Sequence, residues 1–159
     1  MGIPKIYLET SVLNFVFADD SPDKKADTIK LFKEIREGKY IPFTSDYVKE
    51  EIDDATDLKK RYGMNDLIIE YNIERLQKTE RIECLAEEYV KEGIIPEKYK
   101  TDAIHIAAAT VYGLDIILSW NFQHIVKRKT ILKTGEVNLR NGYNKVEIYS
   151  PSEVIEYDV

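Results

Sequence analysis

Glu9 follows directly on the apolar run Ile6-Tyr7-Leu8, and Asp102 opens the apolar stretch AIHIAAATVY. Glu51 sits on the apolar flank of a helical pattern, three residues after Val48 and one before Ile52. Asn121 follows the run IILSW. A carboxylate beside buried apolar residues is costly unless it is hydrogen-bonded, paired or bound to a cation. Three carboxylates and an amide gathered at one place make a hard-oxygen site of the kind that takes Mg²⁺ or Mn²⁺ and leaves room for water and phosphate. Without a cation they repel one another and drive one pKa upward. With one or two cations, such a cluster activates water and steadies the leaving oxygen in an in-line attack on phosphorus.

Each residue also has a plainer reading. Asp102 can serve the dipole of its own helix, worth about 0.3–1 kcal/mol. Asn121 can be a turn residue. Glu51 belongs to the acidic run KEEIDD, most of which must be solvated, and Glu9 can pair with a lysine or arginine. The joint reading gains from placement, because the elements around these residues carry all four to strand exits or helix starts.

Those elements are legible from apolar periodicity and its interruptions. A strand is expected at 5–8 and a helix at about 23–37, with Ala26, Ile29, Phe32 and Ile35 as its apolar stripe, Leu31 beside them and Gly38 as its stop. YIPFTS at 40–45 reads as a second strand, and DYVKEEIDDA begins the next helix. Residues 57–78 read as a helical stretch interrupted near Gly63, and TERIECLAEEYVKEG as helical in its second half, stopped by Gly93. TDAIHIAAATVYG reads as a buried helix with Thr101 as N-cap and Gly113 just past its end. Strands follow at 114–119 and 145–150, and PSEVI opens a short last helix. Strands alternating with helices predict a parallel sheet covered on both faces, with ligands bound beyond the carboxyl ends of its strands. Residues 1–159 read as one domain.

Composition narrows the class. The chain is 43% hydrophobic and 33% charged, with a net charge of −6, the pattern of a folded, water-soluble domain. Residues 127–145 hold six basic residues and one acid, a net +5 that leaves −11 elsewhere. This segment is either a solvated loop or a grip for a phosphate backbone. Cys84 is alone, so no internal disulfide and no Cys/His zinc cluster is expected. With no charged-then-apolar leader at the start and no long apolar run, a cytoplasmic protein without membrane contact is expected. Phosphate-binding loops of the GxGxxG and GxxxxGK types are absent.

YLETSVLNF, SDYVKEEI and DAIHIAAATVYGLDIILSWNFQHIV together resemble the PIN domain, the nuclease fold of VapC-type toxins. The resemblance runs from about Lys5 to Ser150. It implies a three-layer α/β/α sandwich with a central parallel sheet, of the 5′-nuclease-like kind, and Mg²⁺- or Mn²⁺-dependent endonucleolytic cleavage of RNA. It further implies a toxin–antitoxin pairing with a small antitoxin protein, and a homodimer. By position, Glu9 matches the family's first acid, which is usually Asp. Glu51 matches its helix glutamate, with Glu50 as fallback, and Asp102 its third acid. Asn121 falls at the fourth position, often Asp. Ser11 and Ser119 match small hydroxyl positions that support the acids. The metal would be held by Glu9, Glu51 and Asp102, with Asn121 orienting water or a second ion, and Lys127, Arg128 and Lys129 would grip RNA. Glu9 is one methylene longer than Asp and Asn121 removes one charge. The alternative is therefore a catalytically weak RNA- or protein-binding module on the same fold. His105 and His124 are expected to be core or helix-surface residues with local hydrogen bonds, His124 with a possible phosphate contact.

Overall fold

Ile6, Tyr7 and Leu8 are 0% exposed, because β1 (Lys5–Leu8) is the middle strand of a five-stranded sheet. The structure, a computed structural model, describes residues 2–157. The sheet runs in the order β3-β2-β1-β4-β5, with β2 (Ile41–Ser45), β3 (Glu74–Leu76), β4 (Ile116–Leu118) and β5 (Glu147–Tyr149), and all its pairings are parallel. A parallel sheet is covered on both faces, so its inner strands read as unbroken apolar runs instead of alternating ones. Tyr7 pairs with Phe43 on one side and Ile117 on the other. This is the three-layer α/β/α sandwich expected from the sequence.

Eight α-helices flank the sheet among the described residues: α1 (Thr10–Asn14), α2 (Pro22–Arg36), α3 (Asp46–Asp53), α4 (Leu58–Glu70), α5 (Glu80–Lys91), α6 (Lys100–Val111), α7 (Arg128–Arg140) and α8 (Pro151–Val154). The chain builds outward from β1 to β3, then returns across the sheet to β4. The order therefore reverses between β1 and β4, and the crevice beyond their carboxyl ends is the expected ligand site of such a sheet.

Several expectations change. Helix α4 runs through Gly63 without a break. A Cβ at Gly63 would lie 2.6 Å from Cζ of Phe17, so this glycine makes room for a ring and does not interrupt the helix. The helix stops at Asn72, which takes the left-handed conformation (φ 53°), one that asparagine tolerates. Residues 74–76 then form the edge strand β3. Helix α5 is helical from Glu80 onward, because Thr79 caps it by accepting the Ile82 N–H at 3.2 Å. The N-cap of α6 is Tyr99, and Thr101 is an exposed residue within the helix. Gly113 does terminate α6, at φ 68°. On α2 the buried face is Thr28, Leu31, Phe32 and Ile35, while Ile29 is exposed. A helix turns every 3.6 residues, so a stripe read at every third position drifts off the core. The basic segment is no loop: most of it is α7, whose inner face buries Thr130, Thr134, Val137 and Asn138.

Candidate metal site

The site begins where β1 passes into α1. The Glu9 N–H still donates to the Leu118 carbonyl at 3.2 Å, extending the β1–β4 ladder by one bond. Its backbone stays extended, which makes Glu9 the N-cap of α1. Glu9 is 6% exposed. Its Oε1 accepts hydroxyl hydrogen bonds from Ser11 (2.6 Å) and Ser119 (2.5 Å), while Oε2 accepts only the Ser11 N–H at 3.2 Å. The two hydroxyls are themselves anchored, Ser11 Oγ by the Trp120 N–H and Ser119 Oγ by the Asn121 N–H, each at 2.9 Å. Among the described residues no lysine or arginine forms an ion pair with Glu9. The carboxylate is thus held in a hydroxyl cradle, which gives a buried acid the hydrogen bonds it loses from water.

Glu51 comes from the last turn of α3, a helix started by Ser45, whose Oγ accepts the Val48 N–H at 3.2 Å. Its Oε1 accepts from Thr10 Oγ1 and lies against His105 Nε2, both at 2.6 Å. Burial pushes the Glu51 carboxyl up, but the contacts with His105 and Thr10 outweigh it and hold the group below its ordinary range. Glu50, one residue earlier, forms an exposed ion pair with Lys78 instead. An open depression of about 300 Å³, lined by Tyr47, Glu50, Lys78, Thr101 and Ile104 among others, reaches Glu51 from solvent.

Asp102 lies in the first turn of α6 and is half-buried. Burial, then the charge on Glu9, push its carboxyl above its ordinary value, while His105, His124 and the Asn121 side chain pull the other way. Asp102 is not among the groups packed most closely. Ligand atoms of Glu9, Glu51 and His105 all lie within 4.8 Å of one another, and these three residues could hold a metal ion. Two carboxylates, each with one oxygen saturated by two hydrogen-bond partners and the other less committed, suit a hard divalent cation.

Asn121 hydrogen-bonds outward as well as inward. Its Oδ1 accepts the backbone N–H groups of Gln123 (3.1 Å) and His124 (2.9 Å), so the side chain organises the turn after β4. Lys127, Arg128 and Lys129 are exposed at the start of α7, six to eight residues further on. Lys129 donates to the Gly93 carbonyl at 3.2 Å.

The histidines differ from expectation. His105 is in the core, at 0% exposure, but its hydrogen bonds are not local. Nδ1 meets the Tyr7 hydroxyl at 2.7 Å and Nε2 meets Glu51, partners 98 and 54 residues away. Burial disfavours its charged form, but the bond to Glu51 and the charges of Glu51, Glu9 and Asp102 lift its pKa above the ordinary histidine value. The available signal was its spacing, three residues after Asp102 on the same helix, one turn along the same face. His124 stacks on Tyr99 with ring centroids 4.2 Å apart, and its buried Nε2 has no hydrogen-bond partner among the described residues.

No family model matches the chain, and no curated protein matches it. Among solved structures, the fold is similar to a chain in the crystal structure of VapBC2 from Rickettsia felis bound to a DNA fragment from their promoter. The TM-score is 0.55 at 10% identity, over 92% of this chain and 98% of that chain. At that identity the likeness concerns the fold.

Proposed function

We propose that this chain is a PIN-type endoribonuclease, residues 1–159 acting as one domain, in which Glu9, Glu51 and Asp102 hold Mg²⁺ or Mn²⁺. The observation that carries this reading is the convergence of Glu9 and Glu51 at the carboxyl end of the central strand, each with Oε1 taken up by two hydrogen-bond partners. Oε2 of Glu9 accepts one backbone N–H and Oε2 of Glu51 sits on a side chain 37% exposed, so each acid keeps an oxygen that a hard cation can reach. The likeness in fold to a chain of a VapBC complex supports the same reading. The cation, when bound, lowers the pKa of water and neutralises charge developing on phosphate oxygens.

The residues then divide the work. Ser11 and Ser119 orient the Glu9 carboxylate through its Oε1. Asp102 would add the third negative charge to the set that holds the cation. Asn121 shapes the turn after β4 by accepting the Gln123 and His124 N–H groups. Lys127, Arg128 and Lys129 neutralise the RNA backbone, so binding weakens steeply with salt. The role that goes with this chemistry is the toxin of a toxin–antitoxin pair, acting in the cytoplasm as a homodimer and restrained by a small antitoxin protein.

Incubating purified protein with mixed RNA in Mn²⁺ and in EDTA tests the reading. Cleavage should require the metal, disappear in Glu9→Gln and Asp102→Asn, and persist in Glu9→Asp. Cleavage that continues in EDTA, or at an unchanged rate in Asp102→Asn, refutes it. One observation favours the second reading, a binding module with little turnover: Oδ1 of Asn121 is spent on the turn, which leaves the site three carboxylates and no fourth oxygen from that side chain. RNA binding without metal-stimulated turnover, lost when Lys127, Arg128 and Lys129 are reversed in charge, is its signature.

A further inference from the structure

Glu51 is the least enclosed of the clustered groups, with a side chain 37% exposed on a helix of eight residues. A free glutamate there would sample several rotamers, as its neighbour Glu50 reaches outward to Lys78. Glu51 does not, because His105 Nε2 stands 2.6 Å from Oε1 and the Thr10 hydroxyl bonds the same oxygen. His105 is in turn immobile. It is 0% exposed, and its Nδ1 lies 2.7 Å from the Tyr7 hydroxyl, which lies 2.7 Å from Ser45 Oγ. Tyr7 belongs to the central strand, two residues before Glu9 and on the same face of the pleat. Ser45 is the N-cap of α3, the helix that carries Glu51. The line Ser45–Tyr7–His105–Glu51 therefore ties both ends of α3 to the middle of the sheet.

One assignment of hydrogens satisfies every group with a neutral ring. Ser45 donates to the Tyr7 oxygen, Tyr7 donates to Nδ1, and Nε2–H donates to Glu51 Oε1. Neither ring nitrogen then keeps a free lone pair for a cation. We infer that His105 is a positioning residue for the acidic site: a buried strut that fixes one oxygen of Glu51 and so turns the other toward the cation, with Tyr7 setting the orientation of the ring. The inference rests on the metal-site reading proposed above. Partners of this kind, one bond removed from the ligand, change metal affinity by about 10–100-fold.

The test uses Mn²⁺ alone as probe, its free concentration followed by electron paramagnetic resonance, on the full chain and three variants. Melting curves in EDTA report whether each variant folds. His105→Phe keeps a ring and removes the donor, and should weaken Mn²⁺ binding about 10–100-fold. His105→Gln keeps an amide donor and should recover most of that loss. Tyr7→Phe removes only a hydroxyl and should weaken binding by a smaller factor; it decides the matter if His105→Phe does not fold. Spin-echo spectra of the bound Mn²⁺ should show no directly coordinated nitrogen. Wild-type affinity in both His105→Phe and Tyr7→Phe overturns the inference. A directly bound nitrogen, with His105→Gln as weak as His105→Phe, overturns it in favour of His105 as a ligand. Absence of Mn²⁺ binding by the unaltered chain is a different failure, since it removes the metal site itself and the inference with it.

Discussion

Ser119→Ala isolates what the hydroxyl cradle contributes to the folded, metal-free protein. Ser119 is 0% exposed. Its Oγ donates to Glu9 Oε1 at 2.5 Å and accepts the Asn121 N–H at 2.9 Å. The substitution removes a hydrogen bond to a charged acceptor, a class worth about 1.5–3 kcal/mol, and strips a backbone N–H of its partner. The side chain shrinks by one oxygen, so the cavity contribution is small. A loss of about 2–3 kcal/mol follows, which for a chain of this length lowers the melting temperature by about 4–12 °C. The assay is a reversible thermal melt by circular dichroism in EDTA at neutral pH, with Thr56→Ala as an exposed control expected to stay within about 0.5 kcal/mol. Ser11→Ala should cost a comparable amount. Because both hydroxyls bond the same oxygen, the double variant should depart from additivity by about 0.5 kcal/mol or more. A Ser119→Ala protein that melts within about 1 °C of the unaltered chain would refute the reasoning, since the bond then contributes nothing net to holding Glu9.

Two further expectations concern the pair at the helix strut and the packing under α4. The folded pKa of His105 is raised, so the stability it contributes is present below its unfolded value and lost as pH climbs through the folded one; Glu51 is lowered, so its share is present above its unfolded value and lost as pH falls. The pair should therefore contribute most between about pH 5 and 6.5 in metal-free protein. Melting temperatures of the unaltered chain and Glu51→Gln across pH 4–9 should differ most in that window, and a difference independent of pH contradicts the pairing. At Gly63 the added Cβ of alanine would meet three ring atoms of Phe17 at 2.6–3.1 Å. Overpacking of about 1–3 kcal/mol should exceed the helix-propensity gain of about 1 kcal/mol, so Gly63→Ala should lower the denaturant midpoint. A raised midpoint means that the Phe17 ring moves aside freely.

The uneven legibility of this chain follows from where each kind of information resides. The run Ile6-Tyr7-Leu8 is a buried strand because both faces of a parallel sheet are covered, and that leaves an unbroken apolar string in the sequence. Helix α6 is legible for the same reason, since Ala103, Ile106, Ala107, Ala108 and Ala109 are all buried. Strand β3 is not legible. It has three residues, of which only Leu76 is buried, and a polar edge strand of that length has no period to read. The end of α4 at Asn72 escapes notice because the left-handed stop is far more often a glycine.

For the site, the sequence by itself determined that acids stand at the exit of the central strand and at the start of a buried helix, because local apolar pattern shows where strands end and helices begin. It did not determine which of Glu50 and Glu51 faces inward, which oxygen of each acid is spoken for, or that His105 belongs to the site. Those choices belong to tertiary structure. The partners that make them are Thr10 with Glu51, His105 with Glu51, and Ser119 with Glu9, separated by 41, 54 and 110 residues. Hydrogen bonds act over about 3 Å in space and leave no periodic trace along the chain, so only the packed fold decides them.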